Sequence, residues 1–483
     1  MLKNPIPTTK DALGFDNFRE DLAKQGRLPP SGAPKRETVE PVRSPSNRPN
    51  VLWLMTDQLR ADALGFAGHP FVQTPNLDRL AARGTVFERS YCNSPVCGPS
   101  RASMMTGRYL KNHGVLQNNF RMHKQEQTLP EILAGHGYRT ACVGKTHCGR
   151  SGIWEDNLNP ADAFGATKPD ASPFHPEHFP DAVYLHHRTS PNPNRMLYGT
   201  YPAPVEVTKS YRITSEAMKW LYYNDDPRPF ILRLSFDDPH PPVVPPEPFF
   251  SMYAPEDIPD ELVLDSAASL ANKPAVLQEY NAFMGCGVLT EEDHRKHAAA
   301  YLGFVSHVDA QIGRFLDYFE QSEFADNTII LFNSDHGHYT GEHGFAGKGV
   351  GMHEGVSRIP TVIAWPGHLP EGEKNQVLTD GTDLLPTLLD LLELPLPESV
   401  KGKSLGPVLR QESDQHKDEL FLQWSDFGFG LVGPKYKLTW YACDDDGELY
   451  DLSKDPYERD NLFHDPGYSD VKNEMLERLH SRR

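Results

Sequence analysis

The sequence predicts an α/β protein with a doubly wound, mostly parallel central sheet flanked by helices, followed by a small C-terminal α+β subdomain with an antiparallel sheet. Two observations support this prediction. Through most of the chain, apolar runs of strand length alternate with segments of helical spacing, as in parallel sheets. From about residue 411, short aromatic strands follow one another and precede one last helix. A chain of 483 residues is long enough for a large domain with an appendage.

The composition divides the chain into three predicted segments. Residues 1–48 are polar and contain several prolines, which indicates an N-terminal arm with one short helix near Phe15–Ala23. Residues 49–410 form the α/β domain, and residues 411–483 form the C-terminal subdomain. The arm is either disordered or wrapped on a neighbouring subunit. Formation of a homo-oligomer through the arm is therefore one of two alternatives.

Apolar spacing assigns the elements in order. Continuous apolar runs predict strands buried on both faces, and amphipathic segments predict helices. The strands are predicted at Val51–Met55, Arg139–Val143, Phe230–Phe236, Thr328–Phe332 and Pro360–Trp365. The helices are predicted at Asn76–Arg83, Leu129–Gly135, Glu206–Tyr223, Glu291–Glu320 and Asp383–Leu392. In the subdomain, strands are predicted at Glu419–Trp424, Tyr436–Tyr441 and Glu448–Leu452, and a helix at Val471–Leu479.

Charge and cysteine content exclude several classes of protein. The net charge of −18 argues against a nucleic-acid partner, because phosphate binding needs basic surface. A local cationic pocket for an anionic substrate remains compatible with it. The six cysteines show no disulfide framework or zinc spacing, and no apolar run is long enough to cross a membrane. Without a signal segment at Met1–Pro7, the expected location is the cytoplasm, or the periplasm if a leader was trimmed.

Polar side chains follow the predicted strands at one end. They are Asp57, Lys145, His147, His240, Asp335 and His336. The carboxyl ends of the strands form the ligand-binding edge of an open α/β sheet, so these side chains are expected to converge there. Taken singly, Asp57 is as well explained as a helix cap, and Asp335 as part of a turn.

Grouped together, these residue types indicate a metal centre that binds a tetrahedral anion. Asp57 and Asp335 with the imidazole of His336 suit Ca²⁺, Mg²⁺ or Mn²⁺. Lys145 and His147 alternate along an extended segment, so both can face one oxyanion. His240, stiffened by flanking prolines, is a candidate general acid.

Two further candidates lie outside the strand ends. Lys348 occupies a glycine-rich loop that can close on a charged group, although a solvated lysine explains it equally well. Cys97 is expected just before a helix that includes Pro99, where free N–H groups favour a developing negative charge. Arg101 follows about one turn later. Cys97 is a candidate nucleophile, and a buried inert thiol is the alternative.

Several motifs together resemble the type I sulfatases of the alkaline phosphatase superfamily. Cys97–Arg101 (Cys-Gly-Pro-Ser-Arg), followed by Met105–Arg108 (Met-Thr-Gly-Arg), is similar to the sulfatase signature Cys-x-Pro-x-Arg. The remaining matches, in the family's order, are Pro49–Asp57, Gly144–His147, Asp335–Gly337, Lys348 and Glu448–Pro456. The resemblance covers about residues 49–465, and it implies an alkaline phosphatase-like fold.

The resemblance also implies a chemistry. Cys97 would be oxidised to formylglycine by a maturation enzyme, and the aldehyde hydrate would attack sulfur and then release sulfate. Arg101 and Lys145 would hold the hydrate and the sulfate, with His147 as base. His240 and Lys348 would neutralise the leaving oxygen. One divalent ion would be bound by Asp57, Gln58, Asp335, His336 and the modified Cys97.

Two departures from the common family pattern concern the metal. Gln58 and His336 stand where most members have aspartate and asparagine, which lowers the ligand charge and shifts the preference from Ca²⁺ towards Mn²⁺. The same pairs resemble those of choline sulfatases and phosphonate monoester hydrolases. Asn118 lies where those groups have a substrate-binding asparagine, although its neighbour Asn119 could fill that role.

The leading functional prediction is hydrolysis of a sulfate monoester, small or saccharide, and the alternative is a phosphonate or phosphate ester on the same site. A non-catalytic binding protein would lack one of Cys97, Arg101, Lys145 or Asp335, and all are present. The long segment 150–205 is expected to line the substrate pocket with Trp154, His175, His178, Tyr184, His186 and His187. Between residues 151 and 205 the only arginines are Arg188 and Arg195, so a neutral, aromatic or small alkyl ester is as plausible a substrate as an acidic sugar.

Overall fold

The computed structural model describes residues 48–159, 182–186, 194–263 and 270–483. Its strands are β1 Asn50–Thr56, β2 Thr85–Phe87, β3 Ser90–Tyr91, β4 Arg139–Gly144, β5 Asp156–Leu158, β6 Val183–His186, β7 Asn194–Tyr198, β8 Phe230–Ser235, β9 Thr328–Ser334, β10 Thr361–Ala364, β11 Glu373–Asn375, β12 Thr379–Asp380, β13 Leu420–Trp424, β14 Gly428–Val432, β15 Tyr436–Tyr441 and β16 Asp446–Asp451. Its α-helices are α1 Pro75–Ala81, α2 Cys97–Thr106, α3 Leu110–His113, α4 Leu129–Gly135, α5 Lys209–Tyr222, α6 Ala275–Met284, α7 Glu291–Phe319, α8 Glu354–Ser357, α9 Leu384–Leu391, α10 Gly406–Leu409 and α11 Ser469–Arg482.

The central sheet has eight strands within the described ranges, in the order β11-β2-β10-β9-β1-β8-β4-β5. β1 pairs in parallel with both β9 and β8, and β4 pairs in parallel with β8 and β5. Only β10 runs against its neighbours, β9 and β2. The predicted mostly parallel sheet is therefore confirmed.

Helices cover both faces of this sheet. Along β1, Leu52 and Leu54 pack into the core shared with α1, α5 and α7, whereas Val51, Trp53 and Met55 pack into the core shared with α2, α4 and α9. Successive strand residues point to opposite faces, so the continuous apolar run reflects burial on both sides. The 29-residue helix α7 begins at a capping box made by Thr290 and Asp293.

The C-terminal part forms the predicted antiparallel unit, with four strands in the order β13-β14-β15-β16 and α11 packed against them. Strand β14 was not predicted, because Gly428 and Gly430 weaken its strand pattern. A Cβ at Gly430 would lie 2.9 Å from the sulfur of Met352, so Met352 packs closely against this strand. The domain boundary at residue 410 stays a prediction.

The segment 150–205 contains more regular structure than its sequence indicated. β5 extends the central sheet at one edge, and β6 and β7 form a hairpin. Tyr184 and His186 lie on β6, and Arg195 lies on β7. Trp154 is 5% exposed and packs in the core instead of lining a pocket.

The remaining candidates of this segment, His175, His178, His187 and Arg188, lie outside the described residues, as do residues 1–47 of the arm with the helix predicted at Phe15–Ala23. Oligomerisation through the arm therefore stays a prediction. In the part of the chain that is described, no helix is long and apolar enough to cross a membrane.

Candidate active site

Neighbouring parallel strands deliver the polar residues to one edge of the sheet. Asp57 follows β1, Asp335 and His336 follow β9, and Lys145 follows β4. At the end of β4, Gly144 has φ +99°, and a Cβ there would lie 2.2 Å from the carbonyl oxygen of a β8 residue. The close approach of β4 to β8 just before Lys145 thus depends on a glycine.

Cys97 is the first residue of α2, a helix whose ten residues are all buried. The helix begins at the cysteine itself, slightly earlier than the sequence indicated. The thiol is 1% exposed. The next N–H group, that of Gly98, donates to Oδ1 of Asn118 at 2.9 Å. This contact places Asn118 beside the nucleophile candidate, where a substrate-binding role was predicted.

Four buried donor atoms form a compact cluster at this edge. The ligand atoms of Asp57, Cys97, Asp335 and His336 all lie within 4.8 Å of one another. Sγ of Cys97 is 3.5 Å from Oδ1 of Asp57 and 3.2 Å from Nε2 of His336. Nδ1 of His336 lies 2.9 Å from the carbonyl oxygen of Gly337, so donation there leaves Nε2 free to ligate a cation.

Gln58, the residue after Asp57, was predicted as a further ligand, and its backbone lies against the cluster. Its backbone has φ 66° and is held by an N–H bond to Oδ1 of Asp335 at 3.0 Å and by the Tyr301 hydroxyl, which donates to the Gln58 carbonyl at 2.9 Å. Its Oε1 is buried and accepts no hydrogen bond from the described residues. An orphaned buried acceptor beside two carboxylates fits a hard divalent cation.

Arg101 forms ion pairs with the carboxylates of both Asp57 and Asp335. Its Nε donates to Asp335 at 2.7 Å and its Nη2 donates to Asp57 at 3.0 Å, and all three side chains are fully buried. Its Nη1 donates to the carbonyl of Lys145 and to the hydroxyl of Ser235. The guanidinium therefore orients the predicted ligands and holds the backbone of Lys145.

Two lysines converge on the cluster from different loops. Nζ of Lys145 lies 2.6 Å from Oδ2 of Asp57 and 3.9 Å from Sγ of Cys97. Nζ of Lys348 lies 2.6 Å from the same sulfur and 3.4 Å from Nε2 of His336. Both ammonium groups are placed to stabilise negative charge at the end of the Cys97 side chain.

The electrostatic balance at Cys97 agrees with this placement. Burial and the carboxylate of Asp57 raise the pKa of the thiol, but Lys348, His336 and the nearby His147 bring that pKa well below its ordinary value. A site that stabilises a thiolate against burial will also stabilise an oxyanion formed at the same position.

Two histidines complete the surroundings of Cys97. Nδ1 of His240 lies 2.6 Å from the carbonyl oxygen of Pro241, and the ring lies near Cys97. Burial, followed by Lys348, lowers the pKa of His240. His147, with φ 39°, also lies near Cys97. The structure therefore places both predicted histidines in the neighbourhood of Cys97.

Sequence reasoning missed several supporting residues. Ser235, the last residue of β8, holds Arg101, and the Tyr280 hydroxyl donates to the carbonyl of Lys348 at 3.1 Å. His338 lies 2.6 Å from the Gln58 amide. Ser235 could have been found because it ends a buried strand, whereas Tyr280 and His338 carry no local sequence signal for these contacts.

Known proteins share both the sequence pattern and the fold. The family profile described as Sulfatase matches residues 49–394. The chain belongs to the sulfatase family. This is a family of hydrolases acting on sulfate esters within the alkaline phosphatase superfamily, as the sequence motifs predicted. A second profile, described as the C-terminal part of N-sulphoglucosamine sulphohydrolase, matches residues 341–483.

Individual relatives agree with the assignment to the sulfatases. An arylsulfatase of Clostridium perfringens is 32% identical over 453 residues, which cover 88% of this chain and 92% of the relative. A choline-sulfatase of Rhizobium meliloti is 30% identical over 449 residues, covering 87% and 83%. The crystal structure of a phosphonate monoester hydrolase of Agrobacterium radiobacter superposes with a TM-score of 0.77 at 27% identity, covering 90% and 95%.

Proposed function

We propose that this sulfatase cleaves a sulfate monoester to an alcohol and sulfate at Cys97, once a maturation enzyme has converted that residue to formylglycine. The observation that carries the proposal is the convergence on Sγ of Cys97. Asp57, His336, Lys145 and Lys348 lie within 3.9 Å of this one atom, and the loops that hold them come from distant parts of the chain.

The hydrated aldehyde at position 97 would supply the nucleophile and the means of releasing sulfate. Lys145 and Lys348 bind the sulfate oxygens and stabilise the charge that develops during in-line displacement. His240 protonates the departing alcohol oxygen, and His147 takes the proton when sulfate is released. Arg101, predicted to hold the hydrate and the sulfate, is fully buried and pairs with Asp57 and Asp335, so its proposed role is to hold these two carboxylates in place.

Asp57, Gln58, Asp335 and His336 would hold one divalent ion. That ion supplies Lewis acidity and a template for the sulfate group. One imidazole and one neutral amide among the donors favour Mn²⁺ over Ca²⁺ when compared with an all-oxygen, more anionic site. The orphaned Oε1 of Gln58 supports its place in the ligand set.

Phosphonate ester hydrolysis is the second candidate, favoured by the similarity to the phosphonate monoester hydrolase fold. Both substrates present a tetrahedral anion to the same cations. A comparison of kcat/KM for an aryl sulfate and the matching aryl phosphonate decides between them. We expect the sulfate to be preferred, and a dominant phosphonate rate would reverse the order of the two candidates.

The role of Cys97 is tested with a matched cysteine. Cys92 is also fully buried, and burial raises the pKa of its thiol, so it is chemically inert. Cys97→Ala should abolish aryl sulfate hydrolysis, whereas Cys92→Ala should retain it within about three-fold, as expected for a residue outside the chemistry. Equal activity in both variants would contradict the proposal.

A further inference from the structure

A chain of hydrogen-bonded side chains extends from Gln58 into the protein. Nε2 of Gln58 lies 2.6 Å from Nδ1 of His338, and Nε2 of His338 lies 3.1 Å from Nε2 of His297 on helix α7. All three residues are fully buried. The contact with the Gln58 amide links this pair of histidines to the residue that follows Asp57.

Both the backbone and the ring of His338 are held in place by neighbouring residues. Its backbone N–H donates to the carbonyl of Gly355 at 2.8 Å, and its carbonyl accepts from Nη1 of Arg60 at 2.7 Å. The Tyr301 ring stacks on it at 4.5 Å with an interplanar angle of 3°. His297 and Tyr301 are one turn apart on α7, so a single rigid helix holds the ring.

The donor and acceptor groups of these side chains set the direction of each hydrogen bond. The Gln58 amide nitrogen can only donate, so Nδ1 of His338 must be the acceptor and its proton must lie on Nε2. That Nε2–H group then donates to Nε2 of His297. With the amide nitrogen held on this side, Oε1 of Gln58 occupies the other side of the amide, where it accepts no hydrogen bond from the described residues.

We propose that His338, itself held by His297, is a positioning residue that orients the Gln58 amide so that its oxygen faces the divalent cation. The inference rests on the metal site of the proposed function. The left-handed backbone of Gln58 supports it independently, because such a conformation in a non-glycine residue costs free energy and persists where the surroundings require it.

Mn²⁺ titration by calorimetry, on protein with an unmodified Cys97, tests this without enzyme activity. His338→Leu and Gln58→Ala should each weaken binding about 10–100-fold, the usual effect of removing a group that orients a metal ligand. The double variant should bind no more weakly than Gln58→Ala alone. His338→Asn, which keeps an acceptor near the Nδ1 position, should restore binding to within about five-fold of wild type.

His294→Leu is the matched control, since His294 is a buried histidine one turn before His297 on the same helix. It should bind Mn²⁺ as wild type does. Unchanged binding in a folded His338→Leu protein, or losses that multiply in the double variant, would overturn the inference. If His338→Leu does not fold, the single and double variants are made with His297→Leu in its place. Losses of Mn²⁺ affinity that multiply in that double variant would again overturn the inference.

The proposed metal site has a separate test. Asp57→Ala should abolish Mn²⁺ binding, and retained binding would contradict the site itself. Loss of binding in Asp57→Ala with no change in Gln58→Ala would overturn only the positioning role of His338.

Discussion

Replacing Arg101 with methionine should cost much of the stability of the protein. The guanidinium makes contacts of 2.7 and 3.0 Å with Asp335 and Asp57, and all three side chains are fully buried. Methionine nearly fills the space, so the loss reports the missing positive charge, chiefly at Asp335, because Lys145 still lies 2.6 Å from Asp57. Breaking a buried ion pair by removing one partner costs about 3–5 kcal/mol. Equilibrium urea unfolding should show a decrease of that size.

The same substitution at a surface ion pair provides the control. Arg79 is 41% exposed and pairs with Asp317 at 2.7 Å, a similar distance in a very different environment. Arg79→Met should change the free energy of unfolding by less than about 1 kcal/mol. A loss below 1 kcal/mol for Arg101→Met as well would refute the argument that Arg101 compensates the two buried carboxylates.

Two further predictions concern catalysis and pH. Lys348→Ala should lower kcat about 10²–10³-fold, because it removes a cation 2.6 Å from Sγ of Cys97, whereas Lys296→Ala on the surface should leave the rate unchanged. A fall below ten-fold for Lys348→Ala would contradict its placement. Burial lowers the pKa of His113 in the folded protein to about 3, from an ordinary value of 6.5. Between these two pH values the unfolded protein therefore binds one more proton at this residue than the folded protein does. The free energy of unfolding should therefore fall by up to about 1.4 kcal/mol per pH unit below pH 6.5. The variant His113→Gln should flatten the plot of thermal midpoint against pH. An unchanged slope in this variant would contradict the prediction.

The positions of Asp57, Lys145 and Asp335 could be predicted because each follows a buried strand. In a parallel sheet the carboxyl ends share one edge, so local patterns in distant segments imply a common site. Cys97 and Lys348 are different, since composition and spacing left each with an ordinary alternative explanation. Only the match of the whole motif set to the sulfatases favoured their functional roles.

What the sequence did not predict depends on contacts between distant segments. The Gln58 amide and His338 are 280 residues apart, and no periodicity links them. Strand β14 was missed because Gly428 and Gly430 have low strand propensity, although β14 pairs with both β13 and β15 in the folded protein. In each case tertiary packing outweighs the local preference.

The most direct test of the central claim is the mass of the peptide that contains Cys97, measured after co-expression with a formylglycine-generating enzyme. The proposed function predicts the mass of the aldehyde or its hydrate, in a fraction that rises in step with kcat for an aryl sulfate across preparations. Full sulfatase activity in protein that carries only unmodified cysteine at position 97 would contradict it.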